Sequence, residues 1–229
     1  MKSSKSPLTE APQKQSKWFY GWTIVVVISI ISFAGGVETN PVLGVFQIPM
    51  TNEFGWTRSL YTMPMSIGSF LGGIGGLIIG PIMDKHGARW VMGIAIFIMG
   101  LTFILMGYVE NITHHFVLQI LGRTVIASTF FMVVGVVIPK WFITMRGRAI
   151  AFANLGQRLG QIAFPVMAER ILSFSSWRTA WIAMGFTVWI SSLIPTLALL
   201  RRQPEDYGLL PDGIDIRKES SRLEDSFNR

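Results

Sequence analysis

The sequence predicts an all-α, polytopic membrane protein built from six transmembrane helices. Three observations carry this. Half of the 229 residues are hydrophobic and 14% are charged, against about 25% charged in a typical soluble domain. The apolar residues gather into runs near the length that a bilayer demands, about 20 residues of helix. The charges fall between these runs instead of along one helical face, so the net charge of +7 does not read as a nucleic-acid surface.

The elements follow in order. Residues 1–17 are polar, contain Lys2, Lys5, Lys14 and Lys17, and read as an unstructured tail. The apolar stretch after Lys17 is too long for the core of a signal peptide and lacks a small-residue cleavage site. The aromatic cluster Trp18, Phe19, Tyr20 and Trp22 suits the water–lipid interface. The first span covers 18–46, with a bend expected at Pro41, and a loop covers 51–58. Spans two to six are placed at 60–82, 90–108, 116–138, 149–167 and 179–200. A tight polar turn holds Asp84, Lys85, His86 and Arg89, and a second loop holds Glu110, Asn111, His114 and His115. Arg201 and Arg202 stop the sixth span, and 201–229 reads as a polar linker or tail.

Lysine and arginine concentrate on one side: the N-terminal tail, the turn after span two, the loop after span four and the C-terminal segment. The opposite loops hold only Arg58, Arg170 and Arg178. The positive-inside rule then puts both termini in the cytoplasm, in a plasma or inner membrane.

Several chemistries are not supported. There is no cysteine, so disulfides and thiolate chemistry are excluded. The adjacent His114 and His115 lack helical metal-ligand spacing. No serine–histidine or paired-acid arrangement lies within the spans, so neither an enzyme nor a cofactor or metal site is expected. Asn111-Ile112-Thr113 is a glycosylation sequon on the outer side.

Small residues form two stripes. Gly68, Gly72, Gly76 and Gly80 recur every fourth residue in span two, and Ala149, Ala153, Gly156 and Gly160 do so approximately in span five. Such faces let helices approach closely and suit either fixed packing or movable contact.

Three ionisable residues fall inside spans, where each costs several kcal/mol and faces a cavity or a partner. Glu38 lies in the outer part of span one and Arg123 in span four. Arg158 sits about eleven residues into span five, about 16 Å of helix and near the midplane. Arg123 serves a pathway, an ion pair with Glu38, or a snorkelling contact. Arg158 serves substrate or coupling, or else a buried pair. Glu38 serves coupling or pairing. Two arginines against one acid leave the pathway positive, and a guanidinium fork matches a carboxylate. The expected solute is a small organic anion, such as a monocarboxylate or dicarboxylate.

The turn GPIMDKHGAR, from Gly80 to Arg89, resembles the loop between the second and third spans of the major facilitator superfamily: a glycine, an acid followed by a base, a second glycine and another base. The segment KWFITMRGRAIAFANLGQRLG from Lys140 to Gly160, with FGWTRS, SWRTAW and RRQPEDYGLLPDG, is similar to the monocarboxylate-porter and oxalate/formate-antiporter branch. The resemblance implies one half, the N-terminal bundle, of a secondary transporter that works by alternating access, with a proton or counter-anion coupled to the solute and a second six-helix half as partner. It implies a conformational latch at Gly80, Asp84, Lys85, Gly87 and Arg89, with Asp84 near the start of span three, where it caps free N–H groups. Arg123 follows Gly122, as does the family's arginine of span four. Apart from the lipid bilayer, the solute and that second half, no partner is expected, and no nucleic acid. A six-span protein that binds or regulates another membrane protein without transporting is the alternative.

Overall fold

The computed structural model describes residues 19–201, 204 and 211–213. The segment 1–17, Trp18 and most of 201–229 lie outside the described residues. All regular structure among the described residues is helical: α1 (Tyr20–Gly35), a 3-10 turn (Gly36–Glu38), α2 (Asn40–Phe54), α3 (Arg58–His86), α4 (Ala88–Met106), α5 (Ile112–Trp141), α6 (Arg146–Phe174), α7 (Trp177–Val188) and α8 (Ile194–Leu199). The π-helical turn Trp189–Leu193 joins α7 to α8 as one span.

The first span is broken, and the break precedes Pro41. Gly35 and Gly36 weaken the end of α1, and Thr39 is extended at φ −98° and ψ 156°. Pro41 then falls in the first turn of α2, where its missing N–H costs nothing. The helix runs on to Phe54, so 51–54 is helical and not loop. Gly55 ends it in a left-handed conformation at φ 68°, as glycine readily does.

The turn after α3 is also shorter than expected. Met83, 0% exposed, anchors the last turn of α3. Gly80, Asp84 and Lys85 therefore lie inside that helix, and only Gly87, at φ 87°, makes the turn. Asp84 does not cap α4. Its carboxylate accepts from Lys140 Nζ on α5 at 2.6 Å. Arg89 lies in the first turn of α4, its guanidinium 5.7 Å from the Trp90 ring. Spans four and five extend past their expected bounds at both ends, whereas spans three and six start two residues early and end two residues and one residue short. The Asn111 side chain accepts from His114 N at 2.9 Å, so α5 starts early and His114 and His115 are helical, not in a loop.

Helix α3 packs chiefly on α5, α1 on α6, and α4 on α5 and α7. Glycine makes the first two contacts possible. A Cβ at Gly68 or Gly72 would lie 2.6 Å from Arg123 Cβ or 2.4 Å from Ala127 Cβ on α5, and Gly76 faces Met132 at 3.1 Å. At Gly156 and Gly160 it would lie 1.8 Å from Ser29 O and 2.3 Å from Phe33 O on α1. Gly80, by contrast, meets nothing within 4 Å and is not part of the seam.

Contacts at both ends tie the bundle together. Glu53 at the end of α2 accepts from Trp177 Nε1 at 2.6 Å and Arg178 Nη1 at 2.7 Å. At the other end Tyr20 Oη donates to Leu199 O at 2.8 Å. There the Asp212 carboxylate, on the segment following the sixth span, accepts from Ile143 N, Thr144 N and Thr144 Oγ1 at 3.2, 2.8 and 2.9 Å. Partial burial opposes its ionisation, but those hydrogen bonds outweigh it and hold the carboxyl below its ordinary range.

Five runs are long and apolar enough to cross a membrane: Tyr20–Phe54, Arg58–His86, Ala88–Met106, Ile112–Trp141 and Trp177–Leu199. Their outer faces carry exposed side chains such as Phe70, Leu77 and Ile190, which suit lipid and not water. Helix α6 has the length, 29 residues, but is less apolar. Asn154, Gln157, Arg158 and Gln161 recur on one of its faces, at the spacing that aligns side chains along a helix. The chain is an all-α, multi-pass membrane protein.

The glycine seam gives a prediction. Gly156→Ala overpacks α1 against α6 and should lower the melting temperature in detergent by about 2–10 °C. Gly80→Ala, in open space within a helix, should leave it unchanged or raise it.

Candidate functional site

The site forms where the first span breaks. Carbonyls at the end of α1 lose their helical partners there and carry the negative end of the helix dipole. Thr39 Oγ1 donates to Gly36 O at 2.7 Å. The carbonyl of Glu38 accepts from Arg123 Nη1 on α5, and Arg123 Nε donates to Ser69 Oγ on α3 at 2.8 Å. The guanidinium thereby bridges three spans.

The Glu38 side chain does not pair with Arg123 directly, so the ion-pair alternative is not the geometry found. Its Oε1 accepts from Gln119 Nε2 at 2.5 Å. Oε2 is buried with no hydrogen-bond partner among the described residues, and the residue is 1% exposed. Gln119 is itself buried, one turn before Arg123 on α5. A further turn back, His115 is fully buried and bonds Tyr61 O through Nε2 at 3.0 Å. The His115 ring stacks on Tyr61 at 4.9 Å, and Tyr61 Oη donates to Leu43 O at 3.0 Å. Residues 115, 119 and 123 thus form one polar row on α5, spaced by four. That spacing was visible in the sequence; their partners on α3 and the 3-10 turn were not.

Two cavities meet at Arg123. One, of about 400 Å³, is lined by Asn40 and Gln47 of α2, and by Thr62, Ser66 and Ser69 of α3. The other, of about 390 Å³, adds Glu38, Thr39, Gln157 and Gln161. Asn40, Ser69 and Arg123 line both. A third cavity, of about 350 Å³, is more apolar, with Ile126, Phe130 and Val134 beside Asn154 and Gln157.

Arg158 is exposed, on the same face of α6 as Gln157 and Gln161. Its Nη1 donates to Gln161 Oε1 at 3.4 Å, so it makes no buried pair of the kind weighed from the sequence. Gly80, Asp84, Lys85, Gly87 and Arg89 cluster at the termini side, away from the cavities. Among the described residues no group of acids and histidines has metal-binding geometry.

The broken span gives a test of the network. Gln119→Leu leaves both Glu38 carboxyl oxygens buried without partners, at a cost of about 1–3 kcal/mol. The melting temperature should fall by about 2–10 °C, whereas Gln157→Leu, at a cavity wall, should change it little.

Residues 22–215 match the family described as Major Facilitator Superfamily. Among similar curated proteins is a probable L-galactonate transporter of Escherichia coli, 28% identical over 62% of this chain and 32% of its own length. An uncharacterized transporter of the same type from Bacillus subtilis is 24% identical over 82% of this chain and 45% of its own. A 4-hydroxybenzoate transporter of Pseudomonas aeruginosa is 30% identical over 44% of this chain and 22% of its own. The chain spans between 32% and 45% of the length of the first two of these.

Proposed function

From the membership of this chain in the Major Facilitator Superfamily, which the match over residues 22–215 carries, we propose that its bundle moves a small organic anion across a plasma or inner membrane by alternating access. The bundle works against a second six-helix half, with both termini cytoplasmic. The observation that supports the anion is Arg123: a guanidinium fixed at the junction of two cavities, with no acid side chain among the described residues paired to it. Two arms of the fork are occupied by Glu38 O and Ser69 Oγ, which orients the rest of it, and a fixed guanidinium recognises carboxylate well. Arg158 adds a second positive charge on the neighbouring face of α6. The names of two relatives, for L-galactonate and 4-hydroxybenzoate, are names of carboxylates and agree with this reading.

Glu38 supplies the titratable group beside the arginine. It is the residue through which a proton is exchanged in coupling, where the solute does not exchange for a counter-anion. On the termini side Gly80, Asp84, Lys85, Gly87 and Arg89 serve as the conformational latch. The Asp84–Lys140 ion pair, 2.6 Å long, holds α3 to α5 in the conformation described. A non-transporting role in binding another membrane protein has no specific observation in its favour.

Uptake of a radiolabelled carboxylate by the intact transporter in proteoliposomes checks the proposal. Arg123→Gln and Arg158→Gln should each reduce it by about 10–100-fold with insertion unchanged. Undiminished uptake in both variants rules out the arginines as the anion site.

A further inference from the structure

Side chains that no other described residue uses line the cavities around Arg123. The side chains of Asn40, Gln47, Ser66 and Gln157 make no hydrogen bond to another described residue, yet each residue lines a cavity wall. They come from three elements and fall on stripes. Positions 40 and 47 are two turns apart on α2, 62, 66 and 69 share a face of α3, and 157 and 161 share a face of α6. All three stripes converge on one guanidinium.

We propose that the solute is a polyhydroxylated aliphatic carboxylate, its carboxylate on Arg123 and its hydroxyls on these neutral amides and hydroxyls. The inference rests on the anion reading above and narrows it. When a solute displaces water from the cavities, each of these groups loses a partner, and an unreplaced hydrogen bond is costly. A hydroxyl both donates and accepts, so it satisfies the amide N–H, the amide C=O and the serine Oγ alike. A short or unsubstituted acid leaves them all unpaired, and a site built to bond hydroxyls rejects the analogue that lacks them. An aromatic acid fits no better. Among the described residues Tyr61 is the one aromatic lining these two cavities, and it is 1% exposed, its ring on His115 and its hydroxyl on Leu43 O.

Binding of gluconate, hexanoate and benzoate to the purified intact transporter, by titration calorimetry, tests this. Gluconate should bind at least about tenfold tighter than either of the others. The double variant Gln47→Leu, Ser66→Ala should weaken gluconate by about tenfold or more while leaving hexanoate unchanged. Arg123→Gln should weaken all three. If Arg123→Gln weakens all three but hexanoate or benzoate matches gluconate in the unmodified protein, the hydroxyl inference is overturned and the anion reading stands. If Arg123→Gln changes none of the affinities, or no carboxylate binds, the anion reading falls and this inference with it.

Discussion

The functional face of this bundle depends on one contact, the guanidinium of Arg123 on the carbonyl of Glu38. A membrane span that breaks leaves backbone carbonyls without partners in a medium that offers no water to replace them. Here the break at Gly36–Thr39 is tolerated because Thr39 and Arg123 supply the missing donors. The same interaction solves the opposite problem. An arginine within a span is costly, and the carbonyl at the end of α1 with the Ser69 hydroxyl gives it fixed, oriented partners.

Close helix approach is what brings these groups together. Arg123 reaches Ser69 because the Arg123 side chain crosses α3 at Gly68, where a Cβ would collide with it. The α1–α6 seam at Gly156 and Gly160 likewise sets the polar face of α6 beside the break. That face explains why α6 is the least apolar of the spans: its amides Asn154, Gln157 and Gln161 line the cavities, while Arg158, Leu155, Leu159 and Ile162 are exposed. Small residues on the packed faces and polar residues on the cavity face are two parts of one construction.

Much of the architecture was legible from runs of hydropathy, because length and apolarity alone decide what crosses a bilayer. Helix ends were less so. Met83 buries beyond Pro81 and carries Asp84 into α3, and Asn111 caps α5 early enough to bury His115, and neither burial is written in local sequence. Arg123, Arg158 and Glu38 stood out because charge in a span is rare. Gln119, Ser69, Asn40 and Gln157 did not, since neutral polar residues are common in helices and become informative only once α2, α3, α5 and α6 converge. The distinction between an Arg123–Glu38 ion pair and an arginine-to-carbonyl contact turns on where the first span breaks, and Pro41 pointed a few residues too far along.

Amide hydrogen exchange across residues 36–43 in the detergent-solubilised protein tests the role of Arg123 most directly. If the guanidinium holds the broken span, Arg123→Gln should speed exchange there by at least about tenfold, the equivalent of one charge-assisted hydrogen bond, while α4 and α7 exchange as before. Exchange at 36–43 that is the same in both proteins would contradict it, and would mean that packing alone supports the break.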